Sequence, residues 1–226
     1  MESILFHGSD RIIELPTRTG GKVHNDFGQG FYCTPDIQLA REWACSEHAS
    51  AFVNHYCFEP GFDLKVCRLT GPEYHVLNWL AVLMNNRIFN TRHPVEVEIK
   101  NYIVKEFLPD LSSYDVVCGY RADDSYFDIA ESFLSGQLTL QWLTKALKLG
   151  NLGEQVFVKS QRAFDALVFT SAEAVDKSEY YPRRQSRDLA ARMAFKKMKG
   201  EGMSLDGVLA IDIVREKWKN DDARLR

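Results

Sequence analysis

The order of strand-like and helix-like runs constrains this chain most. An apolar run over 3–6 ends in His7-Gly8-Ser9 and reads as a strand that delivers His7 to its end. Residues 10–30 are rich in Gly, Pro and polar side chains and read as loop, and 28–33 reads as a strand entered through glycines. Thr34-Pro35-Asp36 is a helix start: threonine can cap, proline suits the first helical position, and aspartate favours the positive end of the dipole. Ile37, Ala40, Trp43 and Ala44 follow at helical spacing, which predicts a helix over 35–47. One or two strands fall within 53–69, and further strands are predicted over 114–120, 154–159 and 166–171, with a turn at 150–153. Helices are predicted over 72–86, 95–107, 126–134, 139–147, 187–199 and 205–219. Strands and helices do not alternate strictly. The pattern therefore predicts an α+β fold and not a doubly wound parallel sheet.

The 226 residues suffice for one large domain, or one domain with an appendage. At 45% hydrophobic and 26% charged the chain has the composition of a globular protein with a sizeable core. The apolar stripe Leu77, Trp79, Leu80, Val82, Leu83 reads as core, not as a ligand box. The charge is uneven. Twelve Lys/Arg stand against seven Asp/Glu between Arg183 and Arg226, a local +5 within a chain of net −3. That segment suits either an acidic partner or a pair of solvated surface helices. The domain reading is 1–182 followed by a basic helical extension over 183–226. Five cysteines, odd in number and without a CxxC, speak against a disulfide framework or a zinc site, so no metal is expected. The first ten residues lack the pattern of a signal peptide, and no apolar stretch is long enough to span a bilayer. The expectation is a cytoplasmic protein without a membrane partner.

Three segments place a polar or aromatic group at the edge of a β-run beside glycine: Leu5-Phe6-His7-Gly8-Ser9, Phe27-Gly28-Gln29-Gly30-Phe31-Tyr32 and Leu152-Gly153-Glu154-Gln155-Val156. Glycine at such places lets a ligand approach the backbone. A fourth segment, Gly119-Tyr120-Arg121-Ala122-Asp123-Asp124-Ser125-Tyr126-Phe127, sets a polar cluster directly after an apolar strand. Such a cluster lines a site or forms a turn closed by an Arg–Asp pair. If it lines a site, Arg121 suits a pyrophosphate, since guanidinium matches phosphate geometry. Asp123, Asp124 and Tyr126 would then receive an acceptor. No P-loop, HExxH or complete GxGxxG is present.

In their order, the three glycine-flanked segments resemble the motifs of the ADP-ribosyltransferases of the diphtheria-toxin and poly(ADP-ribose) polymerase branch, the His-Tyr-Glu type. More closely, HGS, DFGxGFYxT, GYRADDSYF and LGEQ together resemble a family of uncharacterised bacterial and phage-associated proteins. The resemblance covers roughly 3–182. It implies split antiparallel sheets flanked by helices, and NAD⁺ as co-substrate. It implies His7, Tyr32 and Glu154 as catalytic residues, with His7, Gly8, Ser9, Phe31, Tyr32, Trp43 and Arg121 around NAD⁺. Glu154 would stabilise the positive charge that develops on the ribose when the nicotinamide bond breaks. His7 would bond the ribose, Gly8 the nicotinamide amide through its backbone, and Tyr32 would stack on the nicotinamide ring. Gln155 would face the other way as a bystander. Relatives carry a hydroxyl residue eight beyond the tyrosine; Ala40 stands there, so the amide has one polar contact fewer. Leu152 occupies the place of the second acidic or amide residue of the arginine-modifying branch, which argues against that branch.

The resemblance implies transfer of ADP-ribose to a protein or nucleic-acid acceptor, and a toxin role in a toxin–antitoxin or phage-defence unit with an antitoxin protein as partner. The same residues serve an NAD⁺ glycohydrolase that uses water. A non-catalytic binding module of the same fold is a third reading, against which the intact His, Tyr and Glu speak.

Overall fold

The computed structural model describes residues 3–59, 63–122, 124–147, 153–200 and 206–225. Its elements run β1 (Ser3–Ser9), β2 (Phe31–Cys33), α1 (Ile37–Ala44), β3 (Phe52–Phe58), β4 (Val66–Arg68), α2 (Val76–Asn86), α3 (Pro94–Phe107), β5 (Val116–Tyr120), α4 (Asp124–Leu134), α5 (Leu140–Ala146), β6 (Glu154–Val158), α6 (Gln161–Asp165), β7 (Leu167–Ala174), α7 (Lys177–Gly200) and α8 (Ala210–Arg215). The protein is α+β. Three strands form an antiparallel sheet in the order β1-β3-β7, and four form a second in the order β2-β6-β5-β4. Among the described residues only β4 and β5 run parallel.

The described residues divide into two compact units. One draws on 3–68, 111–121 and 153–187, the other on 69–110, 122–147 and 188–225. The first unit holds both sheets with α1, α6 and the start of α7. A reciprocal pair of backbone hydrogen bonds between Phe6 and Thr34, 2.9 Å each, joins the edge of β1 to the end of β2. Leu5, Tyr56, Phe58 and Leu167 of the three-stranded sheet and Phe31, Cys33, Val116, Cys118, Val156 and Val158 of the four-stranded sheet share one buried cluster, closed by Ala163 and Phe164 of α6.

The second unit is helical. Residues 77–84 of α2 are at most 3% exposed, so the apolar stripe is core. Asn78 within it is satisfied by the Phe107 carbonyl at 2.8 Å and by Asn220 at 2.6 Å. No helix among the described residues is long and apolar enough to cross a membrane.

Four local expectations are corrected. The cap of α1 is Asp36, which accepts from the backbone N–H groups of Gln38 and Leu39, while Thr34 supports it by accepting from the Asp36 N–H. Helix α6 was not expected; its cap Ser160 accepts from the Ala163 N–H. Helix α7 starts at Lys177 and runs through Pro182, so the boundary read at 182/183 falls inside it. Helix α8 is shorter than expected, because Gly207 and the capped start at Leu209 keep 206–209 out of it.

Candidate functional site

Side chains alternate faces along a strand, and that alternation sorts the three signature residues. On β1, His7 shares the face of Leu5, which lies in the buried cluster between the sheets. On β6, Glu154 shares the face of Val156, in the same cluster. His7 and Glu154 therefore both stand on inward faces, at the margin of that core. Tyr32 pairs with Phe157 and leaves the opposite face of its sheet. Its ring packs 4.8 Å from Phe157 and 6.4 Å from Phe27. Its hydroxyl donates to the Gly28 carbonyl at 2.6 Å and accepts from the Phe27 N–H at 3.0 Å. The expected stacking face of Tyr32 is thus occupied largely by the chain's own aromatics.

His7 is held from two sides. Its ring stacks on Phe31 at 4.2 Å, and Phe31 is only 6% exposed. Phe31 accordingly backs His7. The His7 Nδ1 lies 2.6 Å from the Tyr32 carbonyl oxygen. Burial pulls the His7 pKa below its ordinary value, against the opposing pull of that bond and of Asp10. The neutral ring must carry its proton on Nδ1 to meet a carbonyl, so Nε2 presents a lone pair.

The glycines serve packing within the chain. A Cβ on Gly8 would meet the Ala40 carbonyl at 2.1 Å and the Ala44 N at 2.6 Å; one on Gly30 would meet the Phe157 ring at 2.3 Å. Gly153 takes φ 74°, which favours glycine, and lies against Leu39. Each lets the chain pack on itself. Gly8 still offers its backbone. The N–H and C=O of Phe6 both point at Thr34, so those of Gly8, two residues on, point to the same edge beyond the bridge. Ala40 is fully buried, with its backbone carbonyl against Gly8.

Ser9 is tied into the turn after β1. It donates to the Arg11 carbonyl and accepts from Asn54 Nδ2 at 3.1 Å. Trp43 is half-buried, with the Arg121 guanidinium 4.5 Å from its ring centre. Glu154 opens β6 as the cross-strand partner of Tyr120. Its carboxylate lies 3.7 Å from Arg68 Nη1, with the glutamate side chain 32% and the arginine 62% exposed.

Of the polar cluster after β5, the structure settles the place of Tyr126. Tyr126 is 2% exposed, rests edge-on against Trp79 and donates to the Leu147 carbonyl at 2.7 Å. It is core of the helical unit and cannot touch a macromolecular acceptor. Asp123 lies outside the described residues, and Asp124 opens α4.

Sequence reasoning missed four supports. Gln155 does face away from Glu154, but it is buried and donates to buried Asp26 at 2.9 Å, which anchors the loop before β2. Asn54 is fully buried. It donates to the His7 and Arg11 carbonyls and accepts from the Ile13 N–H, fixing the end of β1. A polar residue inside the apolar run Phe52–Phe58 was the available signal. Arg68 lay in an expected strand with nothing to mark it, and Tyr120 stood in the Gly119–Phe127 segment without a role of its own.

Part of the basic C-terminal charge is spent at home. Arg187 grips buried Glu42 with both ends of its guanidinium, at 2.7 and 2.8 Å. Arg184 donates to the Cys45 carbonyl, and Arg192 pairs with Asp188 and Asp128.

Residues 3–169 match a family model described as "Protein of unknown function (DUF3990)". No curated protein matches the chain. No solved structure matches it either.

Proposed function

The chain belongs to the DUF3990 family of proteins of unknown function, and we propose that it is an NAD⁺-dependent ADP-ribosyltransferase, with an ADP-ribosyltransferase-like split of its two sheets around the NAD⁺ site. One observation carries the reading. His7 and Glu154 stand on inward faces of two sheets joined at the bridge between Phe6 and Thr34. Cleaving the nicotinamide–ribose bond needs a carboxylate near the ribose and a group that fixes the sugar's hydroxyls. Glu154 supplies the first, as charge develops on the ribose. His7 supplies the second, because its Nε2 accepts a hydroxyl hydrogen. The edge of Gly8 suits a carboxamide, which needs one donor and one acceptor side by side. Trp43 and Arg121 offer an aromatic face and a cation to the rest of NAD⁺. In this proposal Tyr32 acts chiefly through its carbonyl, which orients His7.

The test is an incubation of labelled NAD⁺ with the protein and a cell lysate, comparing wild type with Glu154→Ala. Nicotinamide release and label on a macromolecule, both lost in the variant, are expected. Nicotinamide release without any labelled macromolecule would make the protein a glycohydrolase. Intact NAD⁺ with both proteins sinks the enzymatic reading and leaves a binding module.

A further inference from the structure

The C-terminal ends of β4 and β5 and the start of β6 meet at one end of the four-stranded sheet, because β4 and β5 are parallel and β6 runs against them. This gathers Arg68, Tyr120 and Glu154. Arg68 pairs with Cys118 and Tyr120 with Glu154, so alternation sets all three on one face. The 3.7 Å contact between Arg68 and Glu154 agrees with that arrangement. Tyr120 is 38% exposed although the rest of β5 is buried. Glu154 thus has a part-exposed aromatic ring and an exposed guanidinium on its face of the sheet.

We infer that the acceptor is a single-stranded nucleic acid, with Tyr120 as the platform for a base and Arg68 as the contact for a phosphate beside Glu154. The inference rests on the transferase reading above. An exposed ring next to a guanidinium is the pairing that holds unpaired nucleotides: every base has a face to stack, and every linkage has a charge to meet. The Arg68–Glu154 contact, at 3.7 Å, is too long for a hydrogen bond and its guanidinium is 62% exposed, so a phosphate can reach the arginine at little cost.

The step balances. A lone pair of an N–H or O–H group on the nucleotide attacks C1′ of the nicotinamide ribose. The C1′–N bond breaks and its electron pair leaves with neutral nicotinamide. The acceptor's proton passes to the Glu154 carboxylate and then to water.

The experiment uses the full chain. Binding of fluorescent single-stranded RNA and DNA 20-mers is read by anisotropy at several salt concentrations without NAD⁺. Label transfer is then read from NAD⁺ to the same oligonucleotides and, separately, to nuclease-treated lysate protein. Tyr120→Ala should weaken binding about tenfold, with Tyr120→Phe close to wild type. Arg68→Gln should reduce the slope of log affinity against log salt by about 0.7, with Arg68→Lys restoring it. Wild type should label an oligonucleotide, and the RNA and DNA arms name the polymer. Label on lysate protein alone, with nicotinamide released, overturns this inference and leaves the transferase standing. Oligonucleotide binding unchanged in both Tyr120→Ala and Arg68→Gln overturns it too. Absence of nicotinamide release in every arm removes the transferase reading and this inference with it.

Discussion

The His7 ring nitrogen Nδ1 sits 2.6 Å from the carbonyl oxygen of Tyr32, so the tyrosine reaches the histidine through its backbone. Its side chain is engaged elsewhere, on Phe157 and on the turn at 27–28. Tyr32→Phe should therefore keep NAD⁺ turnover within about threefold. It should cost about 1–3 kcal/mol of stability, since the Phe27 N–H and the Gly28 carbonyl lose their partner. Urea melts and nicotinamide release check the two halves separately. A hundredfold loss of turnover in a stably folded Tyr32→Phe would give the hydroxyl a direct part in the chemistry.

The pH dependence follows from the same ring. Burial holds the folded His7 pKa below the ordinary 6.5. Between the folded value and 6.5 the unfolded chain therefore binds a proton that the folded chain does not. Stability on account of His7 is full above pH 6.5 and is lost as pH falls through that window. Protonation also removes the Nε2 lone pair, so turnover should fall on the same acid limb. Titration of the His7 ring carbon signal by NMR measures this directly. A midpoint at or above 6.5 contradicts the account.

Gly8 separates packing from ligand contact. A methyl group there would press on backbone atoms of α1, the Ala40 carbonyl and the Ala44 N, and neither can swing away as a flexible side chain would. Gly8→Ala should cost about 3 kcal/mol or more. Its thermal midpoint should drop before any NAD⁺ is added. Wild-type stability in this variant would mean that α1 is free to retreat from β1.

Much of this architecture was legible in the sequence. The order of elements and their α+β class follow from hydrophobic period and turn residues, and both are local signals. Residues 77–84 were readable as core because one helical stripe carries almost no polar residue. Helix α7 starts at Lys177 and not at the expected 187, and it runs through Pro182, which near the start of a helix removes a single backbone bond. The site was legible as a set of motifs but not as an arrangement. Which face Tyr32 takes depends on its register against Phe157, 125 positions away by sequence number, and no local pattern encodes register. For the same reason Arg68 became visible beside Glu154 only once β4, β5 and β6 were side by side.

Arg187 tests how the basic C-terminal segment is used. The Glu42 carboxylate is 6% exposed and meets Arg187 through both guanidinium ends, at 2.7 and 2.8 Å. Removing the arginine leaves a carboxylate buried without its counter-charge, which costs more than the pair itself contributes. Arg187→Ala should lose about 3 kcal/mol, discounted from the upper range because the arginine is 30% exposed. Glu42→Ala combined with Arg187→Ala should recover part of that loss, since the stranded charge is gone. By contrast Lys196→Ala, at an exposed position on the same helix, should change stability by less than about 0.5 kcal/mol. Denaturant melts of the four proteins settle it: if Arg187→Ala behaves like Lys196→Ala, the grip on Glu42 does not hold α7 to α1, and the charge of Arg187 is available to a partner.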